Sequence, residues 1–240
     1  VPVVFVAVKL RPESHTLLFV LSVLAIVPLA TLLSHATESV AAKTGDAAGG
    51  LLNATLGNLT ELVIALAALK AGQYGLVKAS LAGAIVTNTL FMLGASFLLG
   101  GLKHHVQEYN RVSARMQGGM LFLATIALLI PSAMSVAESA EGARFTQTLS
   151  IGLALLLIVA YALGMLFSLK THRELFASAG HDEGGEAPWP MGLALATLAG
   201  VTVLVALVSE IFVESVQVAA EDFGMTPVFV GFIVVALVGG

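Results

Sequence analysis

Cysteine is absent from the 240 residues, which excludes a disulfide framework, thiolate metal sites, iron–sulfur clusters and a cysteine nucleophile. Charge is scarce: 11% of the residues are Asp, Glu, Lys or Arg, against about 25% in an average soluble protein. A water-soluble surface cannot be assembled from so few. The charges sum to −4 and form no basic stripe, so the phosphate-neutralising footprint of a nucleic-acid binder is missing. Neither an H-E-x-x-H zinc motif nor an ATP-binding motif occurs. What is abundant is apolar character, 58% of residues, in runs of about 20 that recur along the whole chain and do not end at a cleavable leader. The expected class is all-α, a polytopic helical membrane protein.

Hydropathy predicts the tail of a span over residues 1–8, then segments over 16–42, 49–71, 76–101, 116–136, 147–169 and 191–220, and the start of an eighth from Pro227. The chain opens without methionine inside one apolar run and stops at Gly239-Gly240 inside another, so a piece of a longer protein is expected. The one mixed-charge stretch, 170–188, carries Glu174, Asp182, Glu183 and Glu186 and reads as a solvated cytoplasmic linker without EF-hand spacing. Trp189 after it suits an interface anchor. The organisation expected is a first transmembrane repeat half over 1–169, the acidic linker over 170–188, and the start of a second half over 189–240. The densest basic loops, 103–115 and 170–173, share a side, which the positive-inside rule assigns to the cytoplasm.

An internal echo supports two related halves. LLSHATESV and LVSEIFVESV each place an ESV triplet, Glu38 to Val40 and Glu214 to Val216, near the end of an apolar span. An acidic, glycine-containing turn and a second glycine-bearing span follow in both. Helix pairs of this kind separated by an odd number of spans insert with opposite topology, as in inverted-repeat secondary transporters.

Chemistry concentrates in the third segment. Along Asn53-Ala54-Thr55-Leu56-Gly57-Asn58-Leu59-Thr60-Glu61, helical spacing puts Asn53, Gly57 and Glu61 on one face, with Asn58 and Thr60 flanking it. A charged Glu at mid-bilayer costs about 2.5 kcal/mol or more and turns to a protein interior, a partner or a cavity. Two readings follow: a structural carboxyl in a helix interface, or an ion ligand. In the second, Gly57 and Asn58 break the helix and free backbone carbonyls that suit a hard cation such as Ca2+. Glu210, Glu214 and Gln217 share one stripe, as do Thr31, Ser34, His35 and Glu38. Acids within a turn or two of a span end can simply reach the interface. In the fourth segment, the small residues Gly83, Ala84 and Gly94 are expected to mark close helix contacts.

The run GGLLNATLGNLTELVIALAALKAGQ followed by SLAGAIVTNTLFMLGASFLLGGL resembles the first signature repeat of the CAX-type cation/proton exchangers, the Ca2+/H+ antiporters, and AIVPLATLLSHATESVA resembles their second span. The resemblance implies an inverted-repeat secondary transporter, here truncated within the second repeat: Gly240 stands where that family has the Asn of a second Gly-Asn-x-x-Glu, whose glutamate would lie further on. It also implies that Glu61 is the central cation and proton carboxylate and the metal ligand, with Asn58 and Thr60 on the same broken segment. Asn88 and Ser80 would form the facing wall, and Glu38, Glu210 and Glu214 would line the path. The activity implied is Ca2+ export from the cytosol against H+, without a catalysed reaction or a cofactor, in the cell (inner) membrane or, alternatively, a vacuolar one. The lipid bilayer and the two ions are then the expected partners. Competing readings are a Na+/Ca2+ exchanger of the same superfamily, an intramembrane hydrolase, and a passive channel.

Overall fold

The structure, a computed structural model, describes residues 1–44, 46–134, 140–172 and 188–239. Every described element is helical, and five helices are long and apolar enough to cross a membrane. The chain is a multi-pass membrane protein. Helix α1 (Pro2–Leu10) opens with proline, whose fixed φ suits a first turn. Helix α2 (His15–Ala41) has 27 residues and is about 40 Å long, more than the about 30 Å hydrocarbon core. Pro28 on its exposed side brings no N–H, so the Leu24 carbonyl lacks its intrahelical donor.

The third segment is two helices, α3 (Asp46–Leu56) and α4 (Leu59–Lys70), separated at Gly57 and Asn58. Helix α5 (Tyr74–Val86) passes through a π turn, Thr87–Met92, into α6 (Leu93–Lys103). Helix α7 (Arg111–Met134) starts earlier than hydropathy predicts, because Asn110 Oδ1 accepts from the Val112 and Ser113 amides at 3.0 Å and caps a polar first turn. Helix α8 (Ala140–Leu166) ends in a second π turn, Phe167–Thr171. Helix α9 (Met191–Asp222) is followed by α10 (Pro227–Val230), a third π turn, Gly231–Val235, and α11 (Ala236–Gly239). The acidic linker falls largely outside the described residues, as do Gly45 and Gly240.

Contacts divide the chain into two compact units, Val1–Ala95 with Glu186–Gly240, and Ser96–Gly185. The first is built around an antiparallel α2/α9 pair. Thr16 at the start of α2 donates to Asp222 at the end of α9, while Ser39 near the other end of α2 accepts from the Trp189 backbone N–H at 3.2 Å. Close to the Thr16 end, the Phe19 and Phe212 rings stack at 5.4 Å.

The echo in sequence is an echo in burial. Counting back from the two ESV triplets, Leu29 and Val205, Leu33 and Ser209, Ala36 and Phe212, Thr37 and Val213, Ser39 and Ser215, Val40 and Val216 are all buried, while Glu38 and Glu214 are both exposed. Each helix thus presents the same face to the other, as an approximate two-fold relation requires. Helices α4 and α9 also end alike. At Gly72 (φ 73°) and Gly224 (φ 67°) the chain turns left-handed, and the next residue's N–H returns to the carbonyl of Ala68 or Ala220, at 2.9 and 2.8 Å. These are Schellman caps, which favour glycine.

Gly83 of α5 lies where a Cβ would come within 2.1 Å of the Phe232 carbonyl, and at Gly231 one would come within 2.9 Å of the Leu76 carbonyl. The fourth and eighth segments therefore meet backbone to backbone. Gly94 corrects the expectation for that span: nothing among the described residues lies within 4 Å of its Cβ position. In the second unit α7 packs on α8, with Gly164 against Met116 and Met120, and the Gln107 amide folds over Gly100.

Candidate functional site

The break at Gly57 and Asn58 has a local cause. The Gly57 N–H still bonds the Asn53 carbonyl at 2.9 Å, completing the last turn of α3, and a Cβ at Gly57 would sit 2.6 Å from that oxygen. Asn58 then adopts φ −102°, ψ 22° as the residue preceding α4, its carbonyl accepting from the Leu62 N–H at 3.1 Å. The single helical face expected through Asn53, Gly57 and Glu61 therefore holds only as far as Gly57. Two helix termini face the gap, where the last carbonyls of α3 and the first N–H groups of α4 lack intrahelical partners.

Glu61 occupies the first turn of α4. It is half-buried, and its Oε1 is buried with no hydrogen-bond partner among the described residues. An unpartnered carboxylate oxygen away from water is costly unless a proton or cation joins it. One residue earlier, Thr60 is buried and points, with Ile64 and Ala68, along the face of α4 that packs on α9. Asn58 is exposed, and its side chain makes no capping bond. The structure thus brings Gly57, Asn58, Thr60 and Glu61 together at one helix discontinuity.

The other expected residues sit on other elements. Ser80, half-buried on α5, donates to the Val77 carbonyl at 2.9 Å, and Asn88 is exposed on the first π turn. Glu38 is exposed on α2 and accepts from Ser34 Oγ at 3.2 Å. Glu214 is exposed on α9 one turn after Glu210. Glu210 itself accepts from Lys70 Nζ at 2.7 Å, an ion pair joining α9 to the end of α4. No group of three or more His, Asp or Glu side chains converges among the described residues, so the carboxylate chemistry at the break rests on Glu61.

Three features escape sequence reasoning: the π turns, the Lys70 partnership, and the seat of Trp189. The Trp189 ring lies 4.4 Å from the His35 ring and the Trp189 backbone N–H donates to Ser39, so this residue is packed on α2.

A model of the sodium/calcium exchanger protein family matches residues 14–170. The Ca(2+)/H(+) antiporter of Aphanothece halophytica is 38% identical over 236 residues, covering 92% of this chain and 63% of that protein. The Ca(2+)/H(+) antiporter ChaA of Bacillus subtilis is 40% identical over 226 residues, covering 92% and 64%. This chain therefore spans less than two thirds of the length of these curated relatives. Among solved structures, native YfkE superimposes with a TM-score of 0.79 at 34% identity, covering 99% of this chain and 66% of that one. Fold and family model agree over the segments that carry the broken helix: the chain belongs to the sodium/calcium exchanger protein family.

Proposed function

We propose that this chain forms part of a secondary antiporter that moves Ca2+ out of the cytosol in exchange for H+, with Glu61 as the shared carboxylate. The observation that carries the reading is Glu61 Oε1, buried and without a hydrogen-bond partner among the described residues, in the first turn after a glycine break between two apolar helices. Such an oxygen holds a proton or a dehydrated cation, and exclusion of one by the other is the coupling. Asn58, Thr60 and the free carbonyls at the end of α3 supply neutral oxygens of the kind Ca2+ takes. Asn88 and Ser80 form the facing wall, and Glu38 and Glu214 line the approach. Residues 1–169 act as the first repeat half and those from 189 as part of the second.

The energy source is a gradient: each charge moved across 100 mV is worth about 2.3 kcal/mol, to which a pH difference adds. Ca2+ and H+ are cargo in this scheme. It requires no resident cofactor and no catalysed reaction. The names of the relatives from Aphanothece halophytica and Bacillus subtilis support proton as the counter-ion over sodium. The cell membrane is the proposed site; a vacuolar membrane is the alternative, since relatives from Schizosaccharomyces pombe and rice carry vacuolar names.

The test is Ca2+ uptake by the full protein in sealed vesicles, driven either by an imposed pH step or by an imposed Na+ gradient. Uptake with the pH step supports the proposal, uptake with Na+ alone replaces it with Na+/Ca2+ exchange, and uptake with neither rejects antiport.

A further inference from the structure

Lys70 is the last residue of α4, nine positions after Glu61, hence about 13 Å further along the helix axis at 1.5 Å per residue. Its ammonium is 2.7 Å from Glu210 Oε1 on α9, and the Glu214 carboxylate adds to the attraction. One residue beyond the cap of the same helix, Gln73 Nε2 donates to the Val213 carbonyl at 2.9 Å, which holds this end of α4 on the turn of α9 that carries both acids. The Lys70 and Glu210 side chains remain 77% and 48% exposed, so the described residues do not enclose the pair. Exposed pairs of this kind are weak enough for another cation to displace.

We propose that Lys70 is a tethered counter-cation of the α9 acidic stripe: it neutralises Glu210 and withholds that carboxylate from divalent cations at this end of α4, thereby setting the apparent Ca2+ affinity of that mouth. Lys70 is a positioning residue in this scheme, acting through Glu210. The proposal rests on the antiport reading for its role in transport, though not for its effect on Ca2+ binding.

With Lys70 in place, Glu210 and Glu214 present one net negative charge at the mouth; without it they present two. A doubly charged ion responds to that difference twice as strongly as a monovalent one. K70Q should therefore lower the apparent Ca2+ constant about three- to tenfold at low ionic strength, leaving the maximum rate unchanged, and the gain should shrink as monovalent salt screens the mouth. K70R should behave as the unmodified protein. K70Q/E210Q should lose the gain, because the carboxylate that Lys70 masks is no longer there.

The experiment pairs Ca2+/H+ exchange by the full protein in sealed vesicles with equilibrium 45Ca2+ binding to the detergent-solubilised protein, each at low and high KCl. A salt-sensitive fall in the Ca2+ constant for K70Q, cancelled in K70Q/E210Q, supports the proposal. An unchanged constant, or an equal fall in maximum rate for K70Q and K70R, overturns it and reduces the pair to a structural tie. If the unmodified protein binds Ca2+ but shows no pH-driven exchange, the antiport reading fails while the binding series still decides the role of Lys70.

Discussion

Glu61 and Gly57 are four residues apart and make opposite demands. Glu61 needs charge compensation, so Glu61→Gln keeps size while removing the charge that draws in a cation. Ca2+/H+ exchange should fall about 10- to 100-fold, the equivalent of losing one charged buried interaction, while the protein still folds, as size-exclusion chromatography would show. Glu61→Asp keeps the charge and withdraws it by one methylene, so a weakened Ca2+ affinity with residual exchange is expected. Near-normal exchange by Glu61→Gln would move the assignment to another acid. Gly57 needs the absence of a side chain: an alanine Cβ 2.6 Å from the Asn53 carbonyl cannot be relieved by a rotamer change. Gly57→Ala should cost about 1–3 kcal/mol, read as a lower melting temperature in detergent together with lost exchange. Melting without loss of exchange would mean that the break has no part in transport. These two residues were legible in the sequence because glycine, amide and carboxylate inside an apolar run are each unfavourable there, so their company calls for a purpose. Lys70 was not legible as a partner, because Glu210 lies 140 residues away and only the α4/α9 packing brings them together.

At the level of helices, close approach is confined to defined glycines. Gly83→Val should destabilise the protein by about 1–3 kcal/mol, since the obstacle is the Phe232 backbone, which cannot yield. Gly94→Ala, in the same span with open space around it, should be neutral or slightly stabilising through helix propensity. Thermal unfolding of the two variants side by side checks the pair, and equal destabilisation would contradict the contact. At the seam of α2 and α9, Phe212→Ala removes one partner of the Phe19 stack and should cost about 3–5 kcal/mol. Span order was readable from hydropathy because each run is long. The π turns were not, since a change of one residue in repeat over Thr87–Met92 is too short to register against helical periodicity. The residues that open α7 were missed for a different reason: Arg111 and Arg115 are charged, and Asn110 rather than apolarity fixes where that helix begins.

For the whole molecule, the proposed sharing of one carboxylate by two ions makes a directional prediction. Raising the proton concentration on the Ca2+-binding side should raise the apparent Ca2+ constant without lowering the rate at saturating Ca2+, because both ions contend for the same oxygens. Uptake rates over a range of Ca2+ at several external pH values test this, and a pH effect on maximum rate alone would count against competition. The antiparallel α2/α9 pair has a further consequence, for synthesis. Ser39 is made 150 residues before Trp189, the residue whose N–H it accepts. At about 5–20 residues per second, α2 waits some 8 to 30 seconds for its partner. During that interval the hydroxyls of Ser22 and Thr37, fully buried in the finished fold, have only lipid, nascent neighbours or the insertion machinery to face. Helices α7 and α8, which pack on each other, are completed meanwhile and need not wait. The α7/α8 pair can thus form first, and a translational pause placed before Met191 would lengthen the exposure of α2 and of α5 alike, since α9 and the Gly231–Val235 turn on which they pack both follow it.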